Sequence, residues 1–266
     1  MNDYTIIGVK IMKKTVLITG ASSGFGYEFV KLFAKEDYNL ILTARNIERL
    51  EEIKDEFDSL NITLIKKDLS KPHSAKELYD EIKEKGLNID ILINNAGFGL
   101  VGRFDKLDAD KQLEMVELNV ITLTELTHYV LQEMKLRREG KILNVASTAA
   151  FQPGPLMAVY YASKAYVLSF SEALAEELRG TGITVTALCP GPSKTNFAKA
   201  ANVEKTKMFA KVMNADVVAR LGYKALMKGQ RVVVTGTVNK LGTYAVKFLP
   251  RSLVVKITKA LTVESH

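Results

Sequence analysis

The sequence predicts an α/β fold: a doubly wound parallel sheet covered by helices on both faces. Three observations predict it. Short apolar runs such as Thr15–Thr19 (TVLIT) and Asn39–Thr43 (NLILT) recur along the chain. They are largely apolar throughout rather than at every second position, the pattern of strands buried on both faces. Helical stretches separate them, and strands joined by helical crossovers pair in parallel.

The elements follow in order. Thr15–Thr19 is the first strand, followed by a glycine-rich turn and a helix from about Gly26 to Lys35. Asn39–Thr43 (NLILT) is the second strand, and Ile47–Phe57 a charged helix. Ile62–Lys66 is the third strand, and Ser74–Lys85 a helix with Pro72 just before it. Ile89–Ile93 is the fourth strand, Lys111–Arg137 a long helix, and Lys141–Val145 the fifth strand. Val159–Arg179 is a second long helix, followed by a sixth strand, Ile183–Leu188, and a late seventh, Arg231–Val234. No repeat or linker divides them, so residues 13–266 are expected to form one domain after a short extension, 1–12. The stretch from Pro190 to about Asn214 fits no long period. It reads as a lid over about residues 191–215, a role that short surface helices could also fill.

Composition narrows the function. Of the 266 residues, 47% are hydrophobic and 25% charged, ordinary globular values that exclude a disordered or fibrous chain. Cys189 is the only cysteine, so an internal disulfide is impossible. His73, His128 and His266 are far apart in sequence, and no metal site is expected. A reducing compartment follows, with a cytoplasmic location expected. No stretch approaches the ~20 apolar residues of a membrane span. The first residues lack the basic start and the apolar length of a signal peptide. Met12 is an alternative start, because MKKTVLITG already opens a strand. The net charge of +7 is unevenly placed: residues 1–219 hold 28 basic and 29 acidic side chains, residues 220–266 hold 9 and 1. The excess belongs to the tail, which has Tyr223, Tyr244 and Phe248 but no nucleic-acid motif, so no nucleic-acid partner is expected.

The first strand runs into Thr19-Gly20-Ala21-Ser22-Ser23-Gly24-Phe25-Gly26. Glycines at a strand–helix junction let the backbone approach a pyrophosphate, which then faces the helix N-terminus. At the end of the second strand an NAD site wants an acid for the ribose 2′-hydroxyl. This chain has Thr43-Ala44-Arg45-Asn46 instead, and the Arg45 fork suits a 2′-phosphate, which favours NADP. Ser22 and Ser23 could add hydroxyls. Asp68-Leu69 follows the third strand, where an acid either bonds an adenine amine or caps a turn. Asn94-Asn95-Ala96-Gly97 ends the fourth strand with residues small enough for close ligand approach.

The fifth strand ends at Ser147, and thirteen residues later comes Tyr160-Tyr161-Ala162-Ser163-Lys164. A phenol titrates near 10, and a nearby ammonium would lower that value for acid–base work. Both tyrosines lie within helical reach of Lys164, so spacing alone does not choose between them.

Taken together, TGASSGFG at 19–26, NNAG at 94–97, Asn119 in ELNV, Ser147, YYASK at 160–164 and PGPSKT at 190–195 resemble the short-chain dehydrogenase/reductase family. The resemblance runs from Thr15 to about Val234. It implies a Rossmann-like sheet of seven strands and reversible hydride transfer from a nicotinamide. It implies Tyr160 as proton donor, Lys164 on the nicotinamide ribose, Ser147 orienting the carbonyl and Asn119 holding a water that relays protons to Lys164. Asp68 and Asn95 would meet the adenosine side. Thr195 and the backbone at Pro190-Gly191 would hold the carboxamide. Family members commonly form dimers or tetramers through the two long helices, so a homo-oligomer is expected.

Phe98, Leu100, Ala149, Phe151, Leu156, Phe197, Met208, Phe209 and Met213 are candidates for an apolar substrate lining. They favour a small-molecule ketone or keto-ester over a sugar. A 3-oxoacyl reductase is an alternative, with the basic tail attracting an acidic carrier. A non-catalytic NADP-binding regulator is another. The basic tail, 239–266, mixes Leu241, Tyr244, Phe248, Leu253, Val255, Ile257 and Leu261 with lysines, and Pro250 splits it. It could lie on an anionic membrane, but a helix packing on the subunit or covering the active site is the favoured expectation, so a membrane partner is not expected.

Overall fold

A computed structural model describes residues 13–195 and 212–263. The expected extension, 1–12, and the central part of the expected lid lie outside these residues. Seven strands form one sheet: β1 (Thr15–Thr19), β2 (Asn39–Ala44), β3 (Ile62–Lys66), β4 (Ile91–Asn94), β5 (Gly140–Val145), β6 (Ile183–Cys189) and β9 (Val232–Val234). Every pair is parallel, in the order β3-β2-β1-β4-β5-β6-β9. β7 (Ser193–Lys194) and β8 (Met213–Asn214) form a separate small parallel pair.

Side chains alternate across β1 and so build two cores. Val16 and Ile18 pack with α1 (Gly24–Lys35), α2 (Ile47–Asp55) and α7 (Ala215–Met227). Leu17 packs on the other face with α3 (Ser74–Glu84), α5 (Leu123–Arg137) and α6 (Ala158–Glu177). This is the doubly wound arrangement the sequence predicts. The strand order reverses between β1 and β4, where such sheets open a crevice at their carboxyl ends.

Two elements differ from the sequence reading. The fourth strand begins at Ile91 rather than Ile89, because Asp90 is used as a clasp. Its Oδ2 accepts from the Thr15 N–H (2.8 Å), and its own N–H donates to the Thr15 carbonyl (2.9 Å). The long helix expected at Lys111–Arg137 is not uniform. It begins earlier, as α4 (Ala109–Val116), where Asp108 Oδ1 caps the Lys111 N–H (2.8 Å). It then widens into a π-helical turn over Glu117–Thr122 before α5 resumes. Two helices follow β9, α8 (Thr237–Ala245) and α9 (Arg251–Thr262), separated at Pro250 as expected.

Candidate active site

The glycine turn is built by close approach. Gly20 and Gly24 have φ of +64° and +54°, the left-handed region that favours glycine. A Cβ at Gly26 would overlap the Gly20 carbonyl, so α1 can rest on the turn only with glycine there. The turn is also tied to β4. Thr19 Oγ1 accepts from the backbone N–H groups of Asn95 and Ala96 (both 3.0 Å). Asn95 Nδ2 donates to the carbonyls of Thr19 (2.9 Å) and Gly20 (3.1 Å). The amide of Asn95 therefore braces the turn. Ser23, the N-cap of α1, is extended and makes no side-chain cap bond. The N–H groups of Gly24, Phe25 and Gly26 head the helix without intrahelical acceptors, at its positive end. That donor set fits a pyrophosphate.

One cavity of about 550 Å³ runs along the carboxyl edge of the sheet. At one end it is lined by Gly20, Ser22, Ser23, Gly24 and Phe25, with Arg45, Asp68 and Leu69 from the ends of β2 and β3. Asn95, Ala96 and Gly97 follow, then Ser147, Tyr160 and Lys164, and lastly Pro190, Gly191 and Thr195. Of the residues singled out in the sequence, Gly26 and Asn119 stand behind this wall rather than in it. Arg45 is exposed on the rim. Lys67, which sequence reasoning missed, lines the same end and pairs with Glu77 (3.2 Å). Its only signal was its place immediately before Asp68. Asp68 Oδ1 accepts from Ser70 N–H (3.1 Å) and Oγ (2.7 Å), so one of its oxygens closes a turn.

The second group converges on Gly97. A Cβ there would lie 3.0 Å from Asn119 Oδ1 and 3.5 Å from Lys164 Nζ. Asn119, buried in the π-helical turn, accepts from the Phe98 N–H (3.2 Å) and donates to the Phe98 carbonyl (3.0 Å) and to Ser163 Oγ (3.1 Å). Ser163 Oγ in turn donates to the Tyr160 carbonyl (2.7 Å). Widened turns of this kind often sit at functional sites. Lys164 Nζ donates to the Val145 carbonyl (2.8 Å) and lies 5.8 Å from the Tyr160 ring centre. Ser147 accepts from the Ala149 N–H (3.1 Å) and shares a hydrogen bond with Tyr160.

The expected acidification of the phenol by Lys164 is not what dominates here. Burial pushes Tyr160 up to about 12, opposed by its bond to Ser147, and pushes Lys164 down to about 8. Desolvation penalises both charged forms. The phenol therefore stands neutral, the form that can give a proton.

A polar ladder beneath the site also escaped the sequence reading. Asn94 Nδ2 donates to Thr127 Oγ1 and Asn144 Oδ1 (both 2.9 Å), and Asn144 Nδ2 donates to Ser171 Oγ (2.9 Å). All four side chains are buried, and each has a partner.

At the substrate end Phe98, Leu100 and Ala149 line the cavity as expected, joined by Leu118, Met157 and Tyr161. Leu156 does not line it. Its φ is +68° and its carbonyl accepts from Gly102 N–H (2.8 Å), which turns Met157 inward instead. Phe151 lines a neighbouring groove, and Met213 packs on the sheet core. Phe197, Met208 and Phe209 lie outside the described residues. Lys111 and Glu114 bring charge to the rim, paired at 2.6 Å. Tyr161 hydrogen-bonds Thr262 of α9, and the Gly154 backbone is pressed so close that a Cβ would overlap the Tyr161 ring.

Comparison with known proteins agrees with this geometry. The family described as short chain dehydrogenase matches residues 14–206. The chain is similar to mouse (Mus musculus) 17-beta-hydroxysteroid dehydrogenase type 3, 34% identical over 204 residues, covering 75% of this chain and 66% of that protein. It thus spans about two thirds of that relative's length. It is similar to the NADP-dependent 3-hydroxy acid dehydrogenase YdfG of Escherichia coli (strain K12), 36% identical over 177 residues, covering 66% and 71%. Among solved structures, a short-chain dehydrogenase from Sphingobium yanoikuyae in complex with NADPH superposes with a TM-score of 0.79 at 30% identity, covering 90% of this chain and 94% of that one. With the family matched over most of the chain and its sheet and crevice both present, this protein belongs to the short-chain dehydrogenase family of oxidoreductases.

Proposed function

We propose that this chain reduces the carbonyl of a hydrophobic ketone or keto-ester with NADPH, reversibly giving a secondary alcohol. The observation that carries the reading is that Ser147, Tyr160 and Lys164 share one cavity with the glycine turn and Arg45. NADPH supplies the hydride when bound. The first turn of α1 would hold its pyrophosphate, and Asp68 and Asn95 would flank the adenosine. Arg45, with Lys67 in the same lining, would take the 2′-phosphate, since the end of β2 carries Arg45 where a 2′-hydroxyl would want an acid. The NADPH-bound neighbour and the NADP-dependent relative support that choice. Lys164 would bond the nicotinamide ribose, and Thr195 with the Pro190-Gly191 backbone would hold the carboxamide.

Ser147 then orients the substrate carbonyl, and the neutral Tyr160 gives its phenolic proton to the oxygen as that oxygen becomes an alkoxide. Asn119 holds the backbone at Phe98 and, with Lys164, frames the path by which a proton returns to Tyr160. Phe98, Leu100, Leu118, Met157 and Tyr161 suit an apolar flank, and the Lys111–Glu114 pair leaves little net charge to select an anion. Self-association through α5 and α6 is part of this reading, and sedimentation tests it.

The test is a spectrophotometric screen of NADPH and NADH consumption over ketones, keto-esters and acyl thioesters. Turnover of hydrophobic ketones with NADPH is expected. Preference for carrier-linked thioesters would favour the 3-oxoacyl reading. Tight cofactor binding without consumption of any of them would favour the regulatory one.

A further inference from the structure

The two C-terminal helices are packed the wrong way round for helices facing water. A surface helix normally turns its apolar stripe to the core and its polar face to solvent. In α8 the side chains turned to the body are Asn239, Thr243 and Val246, while Val238, Leu241 and Tyr244 face outward, with Phe248 just beyond the helix end. Leu241 is 67% exposed, Val238 76% and Phe248 86%. In α9 the buried stripe is Val254, Thr258 and Thr262, while Leu253, Ile257 and Leu261 are exposed. Nine of the sixteen large exposed apolar side chains among the described residues fall within 238–263.

This packing is fastened. Asn239 Nδ2 donates to the Thr235 carbonyl (2.7 Å), and its side chain lies where a Cβ on Gly191 would overlap it. Thr262 is bonded to Tyr161. The inner stripes that hold these helices to the body are thus built of small side chains, two valines among mostly polar ones, and they leave the large apolar side chains outside. Packing on the subunit, as the sequence favoured, accounts for the inner stripes only.

Charge decides what covers the outer face. Between residues 237 and 263 the chain carries Lys240, Lys247, Arg251, Lys256 and Lys259 and no acidic residue. On a helical wheel at 100° per residue Lys240 and Lys247 border the Leu241–Tyr244–Phe248 stripe on one side and Lys256 borders the α9 stripe, while Lys259 lies farther round the helix. Lys247 lies 5.5 Å from the Tyr244 ring centre, its stem along the apolar surface. A second copy docked on this face would set Lys240, Lys247 and Lys256 against the same cations of its partner. Among the described residues no helix is long and apolar enough to cross a membrane. Apolar anchors bordered by cations on a short helix match the interface of an anionic bilayer.

We propose that α8 and α9 dock this protein on the surface of an anionic lipid bilayer. Leu241, Phe248, Ile257 and Leu261 enter the headgroup boundary, and Lys240, Lys247 and Lys256 beside them meet lipid phosphates. The docking helices adjoin the cavity through their inner stripes, because Gly191 and Tyr161, which those stripes touch, both line it.

The test is cosedimentation of the full chain with vesicles of phosphatidylcholine alone and of phosphatidylcholine mixed with phosphatidylglycerol. On the order of tenfold or more binding to the anionic vesicles is expected at low salt, with loss as salt screens the surface. Leu241→Ser with Phe248→Ser, and separately Lys247→Gln with Lys256→Gln, should each abolish most of it. These side chains are exposed, so circular dichroism and NADPH binding should stay unchanged and separate lost docking from lost folding. Equal binding to both vesicle types, or none to either, would overturn the proposal. So would a concentration-dependent dimer that Leu241→Ser with Phe248→Ser dissolves, because a second copy would then own the face.

Discussion

The carboxyl edge of the sheet and the C-terminal helix pair treat polarity in opposite ways. At the edge, the polar groups around the catalytic cluster are taken out of water and given partners: Asn119 holds both backbone polar groups of Phe98, and Lys164 donates to Val145. In the helix pair, large apolar groups are left in water although small threonines beside them are buried. Buried polar groups without partners cost on the order of 1–3 kcal/mol each, so the edge is intolerant of change. The helix pair satisfies its own backbone and depends on few contacts. Intolerance at one end and tolerance at the other is what chemistry at the first and docking at the second would need.

The sharpest break in that comparison is Tyr160→Phe. It should lower kcat for ketone reduction by about two orders of magnitude or more while NADPH affinity, read by fluorescence titration, stays unchanged. Phe248→Ser should leave kcat on a water-soluble ketone untouched. A Tyr160→Phe enzyme with near-normal kcat would move the proton donor elsewhere, with Tyr161 the next residue to test.

The next effect is at the cofactor rim. Arg45→Asp should cost NADPH turnover about 1.5–3 kcal/mol in kcat/KM, roughly ten- to 150-fold, while NADH turnover rises or holds. Equal use of both cofactors by the unaltered protein would remove the 2′-phosphate role. Lys67→Ala should show a smaller loss in the same direction, since Glu77 already engages its ammonium.

Tyr160 and Arg45 were legible in the sequence, for a physical reason, whereas Lys67 was not. The glycine turn, Arg45, Ser147 and the Tyr-x-x-x-Lys spacing each lie within one local segment, and the strand ends that carry them follow from apolar runs. What was not legible depends on contacts between distant segments. The Asn94–Asn144 ladder joins residues fifty apart. The π-helical turn at Asn119 interrupts an unbroken helical pattern with no glycine or proline to mark it. The inversion of α8 and α9 could not be read either, because a helical wheel shows stripes without saying which one the body takes.

A third effect concerns pH. Burial pushes Lys164 down to about 8, so its ammonium is lost as pH rises through that value. If the ammonium serves the proton return to Tyr160, kcat for reduction should fall above about pH 8. In the cofactor-free protein the same shift acts on stability. Unfolded lysine titrates near 10.4, so between about pH 8 and 10 the unfolded chain binds more protons and the folded state gains stability as pH rises. Above about 10 the raised Tyr160 acts the other way, since the unfolded phenol loses its proton first. Lys164→Met should flatten the gain between pH 8 and 10 in thermal melts. A melt profile identical to that of the unaltered protein would mean that Lys164 is not desolvated.

The smallest effect lies where the two regions touch. Tyr161 reaches from α6 to Thr262 of α9, and burial raises its phenol above the ordinary value. Thr262 Oγ1 also donates to the Thr258 carbonyl (2.9 Å), so removing the Tyr161 hydroxyl does not strand it. Tyr161→Phe and Thr262→Val should therefore each cost about 1 kcal/mol of stability, the net worth of one hydrogen bond. The double variant should cost clearly less than the sum, because both single changes break the same bond. Tyr161→Phe should keep most of kcat, with any change in KM, since its ring remains in the cavity wall. If the helix pair docks on lipid, the same double-mutant cycle read in the presence of anionic vesicles should show a different coupling, because the bilayer then holds α9 in place independently. Strict additivity with and without vesicles would mean that Thr262 and Tyr161 do not work as a pair, and would leave the edge and the tail as independent parts of the molecule.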